Sequence, residues 1–346
     1  MSHTGINASE IAKLAGVSRS TVSRVINNYA NVPPETREKV MEVVRKHRYV
    51  PNVSAQVLAG KKTQTIGLFM IEKGSVSADL ITNLLIASVI ESASSRGYYV
   101  LTHIIRGQCD SDSIRGVQDM FYQRRIDGGL FIGASTEEPF IEELVAEGYR
   151  VATLDQPFEG REEPNRLVAD LNNEAGMKLA VGHLAALNHR EIGHVAGDPK
   201  RFSGPEKLEG FRKAMALRGL EVREDWIMPG GFHEDNGYEA IRTYLESGKR
   251  LPTAIVMAND SVAFGAIRAL RERGYEVPRD VSIVGFDDHA LSARFQPALT
   301  TVRVDFAGVL EELTGALIER IEQKASGAAK LTAPIAFISR DSCKAL

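Results

Sequence analysis

The 346-residue sequence predicts two parts of different fold class, an all-α head over residues 1–50 and a two-lobed α/β body over residues 65–346. Three observations lead to this prediction. Apolar residues recur at helical spacing in the head, strand-like and helical runs alternate from Thr65 onward, and the sign of the net charge reverses between the two parts. A hinge helix and linker are expected over residues 51–64.

The head is predicted to begin with two short helices joined by a sharp turn at Gly16. The apolar residues that define these helices are Ile11, Leu14, Val17, Val22, Val25 and Ile26. Ser9 and Ser18 are the expected N-caps, because a serine oxygen accepts a hydrogen bond from an otherwise unpaired amide. A third helix from about Pro34 to His47 closes the small core. The pattern is that of a helix-turn-helix, although an ordinary helical hairpin with a solvated polar face fits these residues equally well.

In a DNA-binding helix-turn-helix, the first residues of the second helix meet base edges in the major groove. Here those residues are Arg19, Ser20 and Thr21, with Arg24 one turn later. Arginine can pair with guanine through two hydrogen bonds. Residues 1–62 hold ten lysines and arginines against four acidic residues, a net charge of plus 6, so the total of minus 3 leaves minus 9 for the remainder. A basic head on an acidic body suits phosphate binding, and a solvated charge cluster is the alternative.

Composition argues against several other classes of protein. No apolar run approaches the length of a membrane span and no secretory signal precedes Ser9, so a cytoplasmic, nucleoid-associated protein without membrane contact is expected. Neither the two cysteines nor the histidines of the body have a metal-ligand spacing. No dinucleotide-binding, nucleophile-elbow or metalloprotease motif is present. We therefore expect no cofactor, no metal and no catalytic residue.

Six longer motifs follow one another in order along the chain. AGVSRSTVSRVINN, VPPETREKV and RYVPNVSAQVLAGKKTQTIGL follow one another in the head and hinge, and GHLAALNHREIGHVAGD, KLEGFRKAM and the run from AIVMANDS to ALTTVR follow in the body. In this order the motifs resemble the LacI/GalR family of bacterial transcriptional regulators. The resemblance implies a body with the two-lobed fold of periplasmic sugar-binding proteins. It also implies a repressor that binds a pseudo-palindromic operator in double-stranded DNA as a homodimer.

The resemblance distributes the DNA contacts between the head and the hinge. The implied positions are Ser18, Arg19, Ser20, Thr21, Arg24, Asn27, Tyr49, Ala55 and Leu58. The hinge from Asn52 to Gly60 is too short to be a stable helix alone in water, and in the family it folds when two copies meet on the operator. Leu58 is then expected to wedge into the minor groove and kink the DNA.

The alternation of strands and helices in the body predicts parallel sheets with helices on both faces. The strand candidates are TIGLFMI, YYVLTHII, GGLFI, RVATL, IGHVA, TAIVMA, VSIVGF and, near the end, PIAFIS. One lobe is expected over about 65–164 and 303–331, and the other over about 165–302 and 332–346. Ligands in such folds bind at the carboxyl ends of strands, here in the cleft between the lobes.

The resemblance also implies an effector site in this cleft. Asp155, Asn259 and Asp287 match positions that hydrogen-bond to effector hydroxyls, and Phe232 matches an aromatic that lies against the effector ring. Lys207 stands where the family usually has arginine, and it cannot make the planar two-point contact of a guanidinium. Alternatively, Asp287 and Asn259 cap the segments that follow them and Phe232 belongs to the core. The expected effector is a small polar molecule, a sugar or a sugar derivative.

Two further features bear on ligand and assembly. The segment MIEKGSVS replaces the family's usual V-P-D-x-x-N-P-F, so Ser77 stands near the place where an aromatic is expected. No leucine heptad tail follows PIAFISRDSCKAL, so a dimer is expected rather than a tetramer. The alternative to a DNA-binding regulator is a solute-binding or enzymatic α/β domain with an incidental basic head.

Overall fold

The computed structural model describes residues 6–50, 61–72, 80–106 and 111–346. The chain divides into two compact units, residues 1–63 and residues 64–346. Among the described helices, none has both the length and the apolar character needed to cross a membrane.

The first unit is a three-helix head. Helix α1 spans Ala8–Ala15, α2 spans Arg19–Ile26 and α3 spans Pro34–Lys46. Gly16 ends α1 with a φ of 67°, a left-handed conformation that glycine adopts without strain, so the predicted turn is confirmed. Ser18 caps α2 as predicted. The buried core of the head consists of Ile11, Ala12, Val22, Val25, Val32 and Val40.

The prediction that Ser9 caps α1 is wrong, because Asn7 holds that position. Asn7 Oδ1 accepts hydrogen bonds from the amides of Ser9 and Glu10 at 2.9 and 3.1 Å, and Glu10 Oε2 accepts from the amide of Asn7 at 2.8 Å. This reciprocal arrangement is a capping box, which satisfies amides on both sides of the helix start. Leu14, one of the apolar residues that predicted α1, is 55% exposed and does not contribute to the core.

The second unit is an α/β body, as predicted. Its described strands, in chain order, are β1 (Thr65–Glu72), β2 (Tyr99–Arg106), β3 (Gly128–Ile132), β4 (Val151–Leu154), β5 (Arg166–Asp170), β6 (Ile192–Val195), β7 (Ile227–Met228), β8 (Ala254–Met257), β9 (Ser282–Asp287), β10 (Thr300–Val304), β11 (Ala329–Thr332) and β12 (Ile335–Ile338). They form two six-stranded sheets, in the orders β11-β5-β4-β3-β1-β2 and β12-β10-β9-β8-β6-β7. The first sheet is parallel throughout, and in the second only β12 runs antiparallel to its neighbour.

Helices cover both sheets. They are α4 (Leu80–Ser95), α5 (Ser111–Tyr122), α6 (Pro139–Ala146), α7 (Asn173–Ala186), α8 (Ser203–Ala216), α9 (Glu234–Glu246), α10 (Asp260–Glu272) and α11 (Phe306–Ile321). Strands such as β3 are buried along their whole length because helices lie on both faces of the sheet. In the first sheet, Phe69 stacks on Phe131 with ring centroids 4.7 Å apart, and this aromatic pair anchors the core on one face.

The expected boundary of the first lobe at residue 164 lies too early. Strand β5 pairs with β4 and places Leu167 opposite Ala152, so the first sheet continues to Asp170. The sequence of β5 is a weak strand signal because it begins with a charged residue. Arg166 is nevertheless buried, and its guanidinium is paired with Glu142 at 2.5 Å and Glu163 at 2.7 Å.

The chain crosses between the sheets twice more near its end. Helix α11 packs against α4, and β11 pairs with β5, so the segment after Val304 belongs to the first sheet. Strand β12 then pairs with β10 and returns to the second sheet. Strands β5, β7, β10 and β11 were absent from the strand candidates, since each is too short or too polar to show a clear periodicity.

Candidate functional site

The first turn of α2 presents polar side chains to solvent. Arg19, Ser20 and Arg24 are exposed, and Thr21 is half-buried. Ser18 Oγ accepts from the amide of Thr21 at 3.1 Å and lies 2.7 Å from Ser20 Oγ. These five predicted DNA-contact positions therefore form one surface of hydroxyl and guanidinium groups, the chemistry that reaches base edges and phosphates.

The other predicted DNA-contact positions have different surroundings. Asn27 Nδ2 donates to Ser23 Oγ at 3.3 Å, and its Oδ1 is buried with no hydrogen-bond partner among the described residues. Tyr49 packs half-buried against the core of the head. Ala55 and Leu58 lie outside the described residues, as does Ser77 in the body.

Arg37 contributes to the fold of the head as well as to its charge. Its Nη1 donates to Asn28 Oδ1 at 2.7 Å, and its Nη2 donates to the backbone oxygen of Tyr29 at 2.6 Å. These contacts hold the loop between α2 and α3. No spacing in the sequence indicated this role, because the contact joins a half-buried helix position to a loop.

A cavity of about 130 Å³ lies in the body, where strands of both sheets reach their carboxyl ends. All five predicted effector positions line it: Asp155, Lys207, Phe232, Asn259 and Asp287. Its other polar lining residues are Glu72, Thr82, Arg201, Ser203, His233 and Ser261. The cavity is therefore at the place where two-sheet α/β folds bind ligands.

Lys207 of α8 is the buried cation of this cavity. Its side chain is almost inaccessible, and Nζ donates to the backbone oxygen of Ala258 at 2.7 Å. The ammonium lies 3.9 Å from the ring centroid of Phe286 and 5.7 Å from that of Phe232. Burial lowers the pKa of Lys207, although nearby carboxylates act in the opposite direction. An ammonium has three N–H donors, so a bound molecule can accept a hydrogen bond here.

Asp155 faces the cavity from the end of β4. Burial raises the pKa of its carboxyl, whereas hydrogen bonds from Ser203 and Asn173 and the charge of Lys207 favour the ionised form. Asn173 Nδ2 donates to Asp155 Oδ1 at 2.9 Å. Asp155 has a φ of 58°, a left-handed conformation that the surrounding contacts must hold in place.

Asn259 has a structural role in addition to its place in the cavity wall. Its Oδ1 accepts from the amide of Val262 at 2.9 Å and caps α10, and its Nδ2 donates to the backbone oxygen of Phe232 at 2.9 Å. The alternative that Asn259 caps the following helix is therefore correct. The same side chain positions Phe232, whose half-buried ring lies within 5.9 Å of Arg201 Cζ and 5.7 Å of Lys207 Nζ.

Asp287 ends β9 and lines the cavity close enough to Lys207 for its charge to raise the lysine pKa. Asp287 and Asp288 have φ values of 104° and 57°, which are unusual for residues with side chains. Asp288 is held by Arg303 Nε at 2.7 Å and by Arg340 Nη2 at 2.6 Å. These ion pairs fix the turn that points Asp287 into the cavity.

Three charged or ionisable residues at the cavity were missed by the sequence prediction. Glu72 Oε2 lies 3.6 Å from Arg201 Nη2, and Glu72 Oε1 lies 3.1 Å from His233 Nε2. Glu72 lies in the segment MIEKGSVS, which replaces the family's usual pattern, and that difference was the available signal. Its partners Arg201 and His233 lie far from Glu72 in the sequence, so no sequence motif could have predicted the cluster.

Asp260 lies behind the cavity wall and is fully buried. Its carboxylate accepts hydrogen bonds from Ser292 Oγ and Thr301 Oγ1, both at 2.6 Å, and from the amide of His289 at 2.7 Å. Burial raises the pKa of Asp260 to about 7. The residue joins α10 to the segments around β10 and has a structural role.

A helix-turn-helix head followed by a two-lobed body with a cavity between the lobes defines a class of DNA-binding regulators with a periplasmic-binding-protein-like domain. Two family models match the chain, one in the head and one in the body. Residues 8–52 match the model described as "Bacterial regulatory proteins, lacI family", and residues 181–343 match the one described as "Periplasmic binding protein-like domain". The chain belongs to the LacI family of DNA-binding transcriptional repressors.

Individual relatives match almost the whole chain. The HTH-type transcriptional repressor PurR of Haemophilus influenzae is 31% identical over 322 residues, which are 92% of this chain and 92% of that protein. The PurR of Pasteurella multocida is 30% identical over 335 residues, which are 97% of this chain and 98% of that protein. These relatives are repressors, so the enzymatic alternative is set aside and no catalytic role is assigned.

Solved structures share the architecture. The lac repressor dimer bound to operator and the anti-inducer ONPF has a TM-score of 0.81 at 28% identity, over 99% of this chain and 100% of that one. A complex of the transcriptional regulator CelR with cellobiose has a TM-score of 0.74 at 27% identity, over 97% of this chain and 99% of that one. Both resemble the chain in head and body.

Proposed function

We propose that the protein binds a pseudo-palindromic operator as a homodimer and that a small polar effector in the cleft changes its affinity for that operator. The observation that carries the proposal is the cavity, which residues of both lobes line together. A ligand that touches both lobes can favour one lobe arrangement over another, and only such a preference can be coupled to DNA binding. Coupling of this kind typically changes affinity about 5 to 150 fold.

The lining of the cavity favours an effector with several hydroxyl groups and one apolar face. Asp155 and Asp287 supply acceptors, Lys207 supplies a donor, and Phe232 supplies a flat ring. We therefore propose a sugar or a sugar derivative. The solved complex of CelR with cellobiose, a structural neighbour, supports this assignment.

A homodimer is supported by an apolar surface on the first lobe. Leu80 and Leu84, one turn apart on α4, are each 43% exposed. Tyr99 and Leu101 of the edge strand β2 are 76% and 38% exposed, and α4 packs against β2. A second copy on this face would remove the apolar side chains from water and bring two heads to two half-sites.

The hinge is proposed to couple effector binding in the cleft to operator binding by the head. Leu58 would wedge into the minor groove at the centre of the operator, with Ala55 beside the DNA, when two hinges meet. The spacing of the hinges across the dimer is then the quantity that lobe movement changes. A protein that acts in this way works on the nucleoid in the cytoplasm.

Selection of bound sequences from random double-stranded DNA tests the DNA-binding part of the proposal. The full-length protein should return a pseudo-palindrome made of two equivalent half-sites. A single unpaired half-site would contradict the dimer, and the absence of any motif would contradict sequence-specific binding.

The effector is identified by titrating monosaccharides, cellobiose and free purine bases into the protein–operator complex and measuring fluorescence anisotropy. A sugar should change operator affinity at least about fivefold. Asp287→Ala should abolish that response and leave operator affinity without ligand unchanged. Asp280→Ala, which removes an exposed partner of Arg279, is the control and should keep the response. A response to purine bases alone would overturn the sugar assignment.

A further inference from the structure

Glu72 joins the two lobes of the body directly. It is the last residue of β1 in the first sheet, whereas Arg201 follows β6 and His233 follows β7 in the second sheet. The carboxylate oxygens lie 3.6 Å from Arg201 Nη2 and 3.1 Å from His233 Nε2. Both contacts therefore cross the cleft that contains the proposed effector cavity.

The surroundings make the contact between Glu72 and Arg201 stronger than an ordinary surface ion pair. The side chain of Glu72 is only 11% exposed, and that of Arg201 is 22% exposed. Charges that are partly removed from water interact more strongly than charges in solvent, and a buried carboxylate that loses its partners is destabilised. Separation of the lobes would leave Glu72 without these two partners.

Two backbone contacts cross the cleft beside this cluster. Arg201 Nη2 donates to the backbone oxygen of Ile71 at 3.1 Å, so the guanidinium bridges the carboxylate and the main chain of β1. The amide of Thr136, which follows β3, donates to the backbone oxygen of Lys200 at 2.9 Å. These contacts can form only when the lobes are together.

We infer that the Glu72–Arg201 ion pair, together with the contact between Glu72 and His233, forms a latch that holds the cleft closed. The latch lies in the wall of the cavity, so it sets how readily the cleft opens for a ligand and how firmly it closes again. The inference concerns the cleft of the proposed function and adds three residues that control its closure. It does not depend on which effector binds.

Hydrogen exchange at the Thr136 amide measures the opening of the cleft, because this amide in the first lobe bonds to a carbonyl of the second. Glu72→Gln keeps the size of the side chain and removes its charge. In the full-length protein without added ligand, this variant should accelerate exchange at Thr136 about tenfold. The amide of Asp155, which bonds to the oxygen of Ala169 within the first sheet, should exchange at an unchanged rate.

Glu191→Gln is the matched control, since it removes the same charge from an ion pair with Arg250 inside the second lobe. It should leave exchange at Thr136 as in the wild type. Equal exchange at Thr136 in the wild type and Glu72→Gln would overturn the latch.

Arg201→Gln tests the latch from the other lobe. Faster exchange at the Asp155 amide in Glu72→Gln would reveal that this variant destabilises the whole body, and Arg201→Gln would then provide the test. Arg201→Gln should also accelerate exchange at Thr136, and combining it with Glu72→Gln should add little, because the two residues share one interaction. Full additivity would overturn the latch. None of these measurements uses operator or effector, so a failed latch and a failed proposed function are distinguishable.

Discussion

On the head, the arginines of α2 stand in solvent, whereas in the cleft the ionisable side chains are held by protein partners. Arg19 and Arg24 are exposed and make no side-chain ion pair within the described residues. Lys207 is buried and bonded to a carbonyl, and Glu72 is paired across the cleft. The charged side chains of the head are therefore exposed and without ion-pair partners on α2, whereas those of the cleft already have protein partners before a ligand binds.

The difference follows from the kind of ligand each region can bind. Phosphates and base edges approach the head from water, so its cations are most useful when they are accessible and unpaired. A closing cleft removes its charges from water, and each one then needs a partner whether or not a ligand is present. Substitutions that remove single charges or single hydrogen-bonding groups test this contrast.

The largest effect is expected for Lys207→Met. The substitution keeps most of the volume but removes the buried ammonium whose charge interacts with the carboxylates of Asp155 and Asp287. Loss of one partner from a buried charge cluster costs about 3 to 5 kcal/mol in the free energy of unfolding, measurable by urea denaturation. Lys213→Met on the same helix removes an exposed pair with Glu174 and should have no measurable effect. Equal stability of the two variants would contradict the assigned role of Lys207.

A second effect comes from His194, which is fully buried in β6. Its Nδ1 donates to the backbone oxygen of Val256 at 2.9 Å, it stacks on Phe211, and burial lowers its pKa to about 4. The unfolded chain therefore binds a proton more tightly than the folded one, so stability is lost as pH falls from 6.5 towards 4.

The loss should reach about 3 kcal/mol over that range of pH. His194→Asn removes the titrating group and retains a donor near Val256. The measurement is the difference in free energy of unfolding between wild type and variant at pH 7, 5.5 and 4. A difference that does not change with pH would show that His194 titrates near its usual value in the folded protein.

On the head, Arg24→Ala should weaken operator binding by about 1 to 3 kcal/mol and reduce the preference for one base pair in each half-site. The expected cause is loss of a contact to guanine from an exposed side chain. Arg45→Ala on α3 is the control, since Arg45 is exposed and its Nε bonds to the backbone oxygen of Met41 within its own helix. Repeating the sequence selection with both variants checks the prediction. An unchanged motif and affinity for Arg24→Ala would contradict the assignment of α2.

Sequence reading predicted the head well because its signals are local. Gly16 and Ser18 lie beside the helices whose ends they fix, and the apolar spacing of α2 and α3 covers only a few turns. The error at Ser9 has the same origin. Asn7 and Ser9 are both good caps, and only the position of Glu10 three residues after Asn7 distinguishes them.

The cleft was harder to predict because its contacts join distant segments. The resemblance supplied five positions that line the cavity, but Glu72 pairs with residues far along the chain. The extent of the first sheet was missed for a related reason. The charge of Arg166 weakens the strand signal of β5 in the sequence. In the structure, ion pairs with Glu142 and Glu163 compensate that charge and allow Arg166 to be buried.

The smallest expected effect is that of Ser18→Ala, and it tests whether the exposed surface of α2 depends on local order. Ser18 Oγ accepts from the Thr21 amide and contacts the hydroxyls of Ser20 and Thr21, so it fixes both the helix start and two neighbouring side chains. Loss of an N-cap typically costs about 1 kcal/mol. We expect that loss in the unfolding of the head, together with weaker operator binding. Ser9→Ala, in the first turn of α1, is the control because Ser9 is exposed and Asn7 caps that helix, so the change removes a hydroxyl without removing a cap. A Ser18 variant that unfolds and binds like the Ser9 variant would mean that the first turn of α2 is held by packing alone.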